Sequence, residues 1–183
     1  MRDFWSDPDD PLAVVFRRVG DNWPDMMTPQ LALAVMVQRL ARLAQDMTRD
    51  TLAPFGLSVT EFEVLAALRS HPRPHRVMPS QLYDAVLISS GGLTKVLKGL
   101  EARALIERPV AEGDGRLRPI ELTVAGRGAV EQAMRAVQAV DAPVFVDPID
   151  RADDAERFGQ TLARLLGAAE ARRGRRTEAP APE

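Results

Sequence analysis

Hydrophobic residues recur every three or four positions over residues 29–53, which predicts a long helix with one apolar face. Thr28 followed by Pro29 supplies an N-cap and a proline at the first helical position, so we expect the helix to begin there. A shorter helix is predicted before it, over about residues 11–23. Because the long helix exceeds what one small core requires, it should also pack against a further partner. Its apolar positions are Leu33, Met36, Val37, Leu40, Leu43, Ala44 and Met47.

The middle of the chain predicts three shorter helices. The first begins near residue 60, where Thr60 as the cap and Glu63 three positions later match a capping box. A proline-rich connector at residues 71–79 then allows at most one short strand. The second helix follows the connector, and the third covers residues 89–101. The apolar positions of the first two helices are Phe62, Leu65, Leu68, Leu82, Tyr83 and Val86.

Two strands are predicted after the third short helix, over residues 105–110 and 118–123. Gly113 and Gly115 give the connecting turn the conformational freedom that a hairpin needs. Each strand contains a proline, which restricts it to a sheet edge because proline donates no ladder hydrogen bond. The pattern therefore predicts one solitary β-hairpin on a helical protein.

The C-terminal third predicts two more helices, separated by a loop at residues 141–150. Thr123 is the predicted cap of the first of them, and Asp153 with Asp154 begins the second. We expect residues 172–183 to form a disordered tail, since they are rich in arginine, proline and glutamate. The apolar positions of the two helices are Val130, Met134 and Val137, then Phe158, Leu162, Leu165, Leu166 and Ala169.

This order of elements predicts a mainly α protein with a small β-hairpin wing, which is the winged helix-turn-helix plan. The terminal helices carry more apolar surface than such a small lobe covers, so we expect a homodimer with intertwined terminal helices. A twofold dimer suits a palindromic DNA site. The predicted regions are N-terminal dimerisation helices at 1–56, the winged helix-turn-helix at 57–123, C-terminal dimerisation helices at 124–171 and the tail at 172–183.

Composition is that of a soluble globular protein, with 45% hydrophobic and 27% charged residues in a chain of 183. The absence of cysteine excludes disulfides and zinc–thiolate sites. No apolar run is long enough to span a bilayer and the acidic N-terminus lacks a signal-peptide core, so we expect a cytoplasmic protein without a membrane partner. The formal net charge is −2, but residues 91–118 hold six basic and four acidic groups, a local +2.

The third short helix shows the chemistry expected of a DNA recognition helix, over about residues 89–103. Leu93, Val96, Leu97 and Leu100 lie on one side of it, and small residues and lysines lie on the other. A small outward face allows close approach to DNA, and the N–H groups of a helix N-terminus bind phosphate. The alternative is a solvated amphipathic helix after a glycine-rich turn. The candidate DNA-contacting residues are Ser89, Ser90, Gly91, Gly92, Thr94, Lys95 and Lys98.

The hairpin turn supplies the second set of candidates, over about residues 109–119. An arginine on such a turn is able to enter a narrow minor groove, where the negative potential is enhanced; Arg116 is the candidate, and Arg118 adds a second cation. Asp114 lies two residues before Arg116, so its carboxylate is able to orient the guanidinium. A polar turn with a surface ion pair is the simpler alternative.

Several of these segments together resemble the MarR family of bacterial transcriptional regulators. The resemblance covers residues 57–127 and includes Ala104-Leu105-Ile106-Glu107-Arg108, Asp114-Gly115-Arg116 and Leu122-Thr123-Val124-Ala125-Gly126. It implies a homodimer that binds a pseudo-palindromic operator on double-stranded DNA, and a small-molecule effector that changes DNA affinity. One departure is Ala104, where the family usually has glycine. We expect a small cost there, since alanine is tolerated where the backbone is not left-handed.

The N-terminal segment with Trp23, together with Ser-Gly-Gly-x-Thr at 90–94, resembles the PecS/urate-responsive branch of that family. That branch implies a ligand pocket formed by Trp23, Glu63 and Arg108, with Met36 as a further apolar lining residue. Glu63 replaces the usual aspartate of the branch, and Val96 replaces an expected basic residue, which argues against urate itself. The simpler alternatives are that Trp23 packs on the dimer core, that Glu63 only caps its helix, and that Arg108 pairs with Glu107, Glu121 or a phosphate.

Other function classes find less support in the residues. His71 and His75 lie in the proline-rich connector, with no nucleophile or carboxylate beside them, so we expect surface histidines and no catalytic or metal site. Dinucleotide and P-loop fingerprints are absent from the sequence, and no cofactor is expected. The remaining alternative to a DNA-binding regulator is a winged-helix module that binds only protein.

Overall fold

The computed structural model describes residues 9–86, 90–109, 119–149 and 151–177. These residues form seven α-helices and three short strands, with 3-10 turns at Pro24–Met26 and Ala53–Phe55. The helices are α1 Pro11–Asn22, α2 Pro29–Leu52, α3 Val59–Ser70, α4 Pro79–Ala85, α5 Ser90–Ala102, α6 Val124–Phe145 and α7 Ala152–Thr177. The strands are β1 Arg76–Val77, β2 Ile106–Glu107 and β3 Ile120–Leu122.

The chain divides into two compact units, Met1–Met134 and Arg135–Glu183, with the boundary inside α6. The first unit contains a core built by α3, α4, α5 and the strands, which is the arrangement of a winged helix-turn-helix. Burial of large aliphatic side chains is its main source of stability. The most deeply buried of them are Val64, Leu65, Leu68, Leu82, Leu100, Ile106 and Ile120.

The strands form one antiparallel sheet in the order β1-β3-β2, so the predicted solitary hairpin is a three-stranded sheet. Arg76 pairs with Glu121 and Val77 with Ile120 across β1 and β3, while Ile106 pairs with Leu122 across β2 and β3. Burial of Val77 and the ion pair between Arg76 Nη2 and Glu121 Oε2, at 2.6 Å, hold β1 in place. A strand of two residues has no periodicity that a sequence pattern can reveal.

The helix starts follow capping rules, with one correction. Thr28 caps α2 as predicted, because its Oγ1 accepts a hydrogen bond from the Leu31 N–H at 3.2 Å. The predicted Thr60–Glu63 box on α3 was wrong, since Ser58 is the cap and Glu61 accepts the Ser58 N–H at 2.9 Å. The helix begins two residues earlier because Leu57, just before the cap, is buried in the core.

Helix α6 extends further than predicted. Thr123 caps it, accepting a hydrogen bond from the Gly126 N–H at 2.9 Å. The helix then runs through Pro143 to Phe145, so the first half of the predicted loop at 141–150 is helical. A proline in the last turn removes a single backbone hydrogen bond, and the Val146 N–H still bonds to the Ala142 carbonyl at 2.9 Å.

Helix α7 begins with Asp153 and Asp154 in its first turn, as predicted. It continues to Thr177, which is past the predicted boundary at residue 171. Residues 178–183, the end of the predicted tail, lie outside the described residues.

Two helices expose rows of large apolar side chains, each between 37% and 59% exposed in the single chain. Soluble monomers rarely present such contiguous apolar surface without a partner. The exposed residues are Leu33, Val37, Leu40 and Leu43 on α2, and Phe158, Leu162, Leu165 and Leu166 on α7.

Two further observations apply to the described ranges only. In these ranges no single helix is both long and apolar enough to cross a membrane. The helical segments Pro29–Phe55 and Val59–Ser70, which meet at a bend of 81°, have the required length and composition only when they are counted together. Their His, Asp and Glu side chains form no group of three that is suited to hold a metal ion.

Candidate nucleic-acid interface

Helix α5 has one buried face and one exposed face. Leu93, Leu97 and Leu100 are buried at 5% exposure or less, in keeping with the helical period of the sequence. Val96, which we expected in the core, is only partly buried and lines a groove. The exposed face carries Gly91, Thr94, Lys95 and Lys98. Small and cationic groups therefore occupy the outer surface of this helix.

Lys95 and Lys98 are the only two lysines of the chain, whose other 22 basic residues are arginines. Both lysines are exposed. Within the described part of the chain, neither ammonium group forms an ion pair. An unpaired ammonium on a helix that also exposes glycine is available to a phosphate group.

The glycines of α5 differ in their surroundings. A Cβ atom on Gly91 would meet no atom of the described residues within 4 Å, beyond its own turn and chain neighbours. A Cβ atom on Gly99 would lie 3.6 Å from Glu61 Oε1, which is an ordinary van der Waals contact. Packing inside the described chain therefore does not require glycine at residue 91, although glycine weakens a helix by up to ~1 kcal/mol relative to alanine.

The C-terminal end of α5 forms a Schellman motif centred on Ala104. The Ala104 N–H bonds to the Glu101 carbonyl at 2.9 Å, and the Leu105 N–H bonds to the Leu100 carbonyl at 3.0 Å. Ala104 has a φ of 52°, in the left-handed region. The expectation of a small cost at this position was wrong, because a left-handed alanine is strained by about 1–2 kcal/mol.

Thr123 joins this end of α5 to the start of α6. Its hydroxyl donates to the Ala104 carbonyl oxygen at 2.8 Å and also lies 3.1 Å from the Leu105 carbonyl oxygen. The Thr123 Oγ1 atom also accepts the Gly126 N–H, and the Thr123 N–H donates to the Leu105 carbonyl at 3.2 Å. A Cβ atom on Gly126 would lie 1.9 Å from the Leu105 oxygen, so only glycine fits there.

A second contact ties the same end of α5 to the start of α3. Arg103 Nη1 lies 3.2 Å from Glu61 Oε1, while Glu61 Oε2 accepts hydrogen bonds from the backbone and hydroxyl of Ser58. Sequence reasoning missed this pair, because the wrong capping box assigned Glu61 no role.

A groove of about 520 Å³ lies beside α5, between α4 and the residue that follows β2. Among the described residues that line it, Arg108 alone is charged, with Nε 3.5 Å from Glu101 Oε2. This corrects the expected pairing of Arg108 with Glu107 or Glu121. Arg108 Nε is buried and finds no hydrogen-bond partner among the described residues. The other lining residues are Pro79, Ser80, Tyr83, Leu93, Thr94 and Leu97.

A second groove of about 600 Å³ lies on the α3 side of α5. Neither groove includes Trp23, Met36 or Glu63, three of the four predicted ligand residues. Trp23 is 62% exposed after α1, and Glu63 is exposed on α3. The second groove is lined by Ser58, Thr60, Glu61, Gly92, Lys95, Val96 and Gly99.

The connector between α3 and α4 holds a buried histidine. His75 is 7% exposed, so the expectation of a surface histidine was wrong there. Its Nδ1 lies 2.6 Å from the His71 carbonyl oxygen, which accepts the ring N–H. The Leu122 N–H bonds to the His75 carbonyl at 3.2 Å, which links the connector to β3.

Comparison with known proteins identifies the family. A MarR family model matches residues 55–117. The HTH-type transcriptional regulator PecS of Dickeya dadantii (strain 3937) is 29% identical over 111 residues, which are 61% of this chain and 67% of PecS. The HTH-type transcriptional regulator MhqR of Bacillus subtilis (strain 168) is 30% identical over 103 residues, 56% of this chain and 69% of MhqR. The chain belongs to the MarR family.

The fold of this MarR-family chain agrees with that assignment. The S. aureus MepR–DNA complex superposes with a TM-score of 0.66 at 18% identity, over 74% of this chain and 96% of MepR. The predicted fold class is thereby confirmed as a winged helix-turn-helix. As a member of this family, the chain is a transcriptional regulator and not an enzyme.

The family motifs now have a physical explanation in this MarR-family chain. Thr123 and Gly126 of the Leu-Thr-x-x-Gly motif contact the backbone of residues 104–105. The motif was visible in the sequence, but this long-range contact was not.

Of the predicted DNA-contacting residues, Ser90 begins α5. Ser89, Asp114, Arg116 and Arg118 lie outside the described residues.

Proposed function

We propose that this MarR-family chain is a homodimeric repressor that binds a pseudo-palindromic operator through α5 and the wing at about 109–119. The observation that carries the proposal is the exposed face of α5, on which small residues accompany the two lysines. In winged helix-turn-helix proteins a helix of this kind enters the major groove. A regulator of this kind acts in the cytoplasm, and a membrane has no part in the proposal.

The face is suited to DNA in both shape and charge. Gly91 presents no side chain, and Thr94 presents a short hydroxyl group, so the helix is able to lie close to base edges and phosphates. Lys95 and Lys98 supply cations that are unpaired within the described residues. We assign contacts in the adjacent minor groove to Arg116 and Arg118 of the wing, with Asp114 orienting Arg116. MepR, whose structure was determined with DNA, supports this mode through its shared fold.

The exposed apolar rows on α2 and α7 support the dimer. Covering Leu33 and Leu162, with their neighbours in the rows, against a second copy would remove large apolar surfaces from water. Light scattering should give twice the chain mass of 20.1 kDa. Leu162→Glu should weaken the dimer, whereas Arg164→Glu on the same exposed helix should not. A stable monomeric wild type would exclude the homodimer.

The groove beside Arg108 supports a small effector that is aromatic or anionic. Tyr83 and Leu97 offer apolar contact, and the guanidinium group of Arg108, whose Nε lies 3.5 Å from Glu101 Oε2, offers a positive charge at the groove lining. Because Leu93, Thr94 and Leu97 of α5 line the groove, a ligand there would contact the recognition helix directly and promote DNA release.

Thermal-shift screening with urate, xanthine and aromatic acids tests the effector proposal. Arg108→Met should abolish the stabilisation by a bound acid, since it removes the cation from the groove. If Trp23→Ala or Glu63→Ala abolishes it as well, the site is the predicted pocket with Trp23, Glu63, Arg108 and Met36, whereas binding that survives both variants places the ligand in the groove beside α5. The absence of any stabilising acid would contradict an aromatic or anionic effector.

Operator binding itself is tested by selecting DNA from a random pool with the wild-type protein. Lys95→Ala and Arg116→Ala should each weaken binding to the selected DNA by roughly tenfold, with the dimer intact. Arg172→Ala, a charge-matched control on exposed α7, should leave the affinity unchanged. If no sequence is enriched, or if affinity does not fall between about 50 and 200 mM salt, the chain is a protein-interaction module instead.

A further inference from the structure

The recognition helix is held at its C-terminal end by three contacts of different kinds. The Arg103–Glu61 ion pair leaves the arginine side chain 39% exposed, and exposed pairs contribute little. The Schellman turn at Ala104 is strained by its left-handed alanine. Thr123 supplies the third kind of contact, in which side-chain and backbone hydrogen bonds meet at one residue, with an exposed bond to the Ala104 carbonyl and a part-buried bond from the Gly126 N–H.

The hydroxyl group of Thr123 acts both as a donor and as an acceptor. It donates its proton to the turn that ends α5, and its oxygen accepts the backbone N–H of Gly126 in the first turn of α6. One oxygen atom therefore connects the end of one helix to the start of the other. Because Gly126 has no side chain, the backbone of α6 approaches the backbone of Leu105 closely.

We propose that Thr123 is a positioning residue of the DNA-binding surface, which sets the angle of α5 relative to the first turn of α6. This inference rests on the proposed function, because it assumes that α5 meets DNA. Lys95 and Lys98 lie within nine residues of Ala104 on the same rigid helix, so a tilt at its end moves both ammonium groups. Specific contacts require this geometry, whereas the general attraction of cations to phosphates tolerates its loss.

The test compares Thr123→Val, which keeps the shape and removes the hydroxyl group, with Thr123→Ser, which keeps the hydroxyl group. Affinities are measured for DNA selected by the wild type and for a scrambled duplex of equal length. Thr123→Val should lose about tenfold in affinity for the selected DNA and less than twofold for the scrambled duplex. Thr123→Ser should stay within about twofold of the wild type on both duplexes. Equal losses on both duplexes, or no loss on either, would overturn the proposal.

Amide hydrogen exchange provides a readout that needs no DNA. In Thr123→Ala, or in Thr123→Val, the amides of residues 101–106 should exchange about tenfold faster, while those in the middle of α3 keep their wild-type rates. Unchanged exchange at 101–106 would also overturn the proposal. If the wild type enriches no DNA sequence, the proposed function fails, and the exchange measurement alone decides whether Thr123 positions the helix.

Discussion

The carbonyl oxygen of Leu105 lies 1.9 Å from the position that a Cβ atom on Gly126 would occupy. Backbone atoms cannot retreat as a flexible side chain can, so any side chain at residue 126 must push the end of α5 away from α6. The contact makes Gly126 a determinant of how the end of α5 is supported.

Gly126→Ala should therefore lower the free energy of unfolding by about 3 kcal/mol, through forced separation of two packed backbones. Gly128→Ala is the matched control, because a Cβ atom there meets nothing within 4 Å among the described residues. That control should be neutral or stabilising by up to ~1 kcal/mol, as expected from helix propensity. Urea unfolding of both variants measures the difference. Equal stabilities would mean that the close approach does not exist.

Ala104→Gly should stabilise the protein by about 1 kcal/mol, because glycine adopts the left-handed conformation of this turn without strain. For a chain of this size the melting temperature should rise by roughly 2–4 °C. Ala102→Gly is the opposite control, since Ala102 is an exposed residue with helical backbone in the last turn of α5. It should destabilise by roughly 0.5–1 kcal/mol. Destabilisation by both glycines would contradict the left-handed assignment.

The choice between the two capping boxes of α3 is open to direct measurement. Ser58→Ala should reduce stability by ~1 kcal/mol, because Ser58 Oγ accepts the Glu61 N–H at 3.2 Å. Thr60→Ala should change stability by less than about 0.5 kcal/mol, since Thr60 lies within the first turn of α3 and is not its cap. Thermal unfolding of the two variants distinguishes them, and the reverse order would restore the box at Thr60.

Gly91→Ala separates folding from DNA binding. Because the added methyl group has open space among the described residues, the variant should be as stable as the wild type or up to ~1 kcal/mol more stable. It should nevertheless bind selected DNA several-fold more weakly, since the methyl group keeps the helix from the groove surface. Gly99→Ala, on the α3-facing side of the same helix, should gain helix stability without losing affinity. Equal affinity of both variants would show that residue 91 does not approach DNA.

Sequence patterns predicted the features that depend on repeated spacing. The period of Leu93, Leu97 and Leu100 predicted the buried face of α5, and the same period predicted the exposed lysines. The apolar rows of α2 and α7 also followed from spacing. These features are encoded locally and many times over, so single exceptions do not obscure them.

Features that depend on one residue or on a distant contact were missed. Nothing in the alanine at residue 104 specifies a left-handed backbone, which is imposed by the Schellman turn and by Thr123. Ser58-x-x-Glu61 and Thr60-x-x-Glu63 match the same pattern, and the hydrogen bonds between Ser58 and Glu61, which appear only in the structure, distinguish them. Trp23 and Glu63 are distant in sequence from Arg108, and periodicity does not reveal whether such residues share one groove.

Contact between α5 and DNA can be measured directly through the two lysines of this helix. Because Lys95 and Lys98 are its only lysines, an amine-specific reagent modifies this helix and the N-terminal amine alone. Reductive methylation is followed by peptide mass spectrometry, with and without saturating selected DNA. If α5 contacts DNA, bound DNA should slow modification of both lysines several-fold while the N-terminal amine reacts at an unchanged rate. Equal modification of Lys95 and Lys98 with and without bound DNA would contradict it.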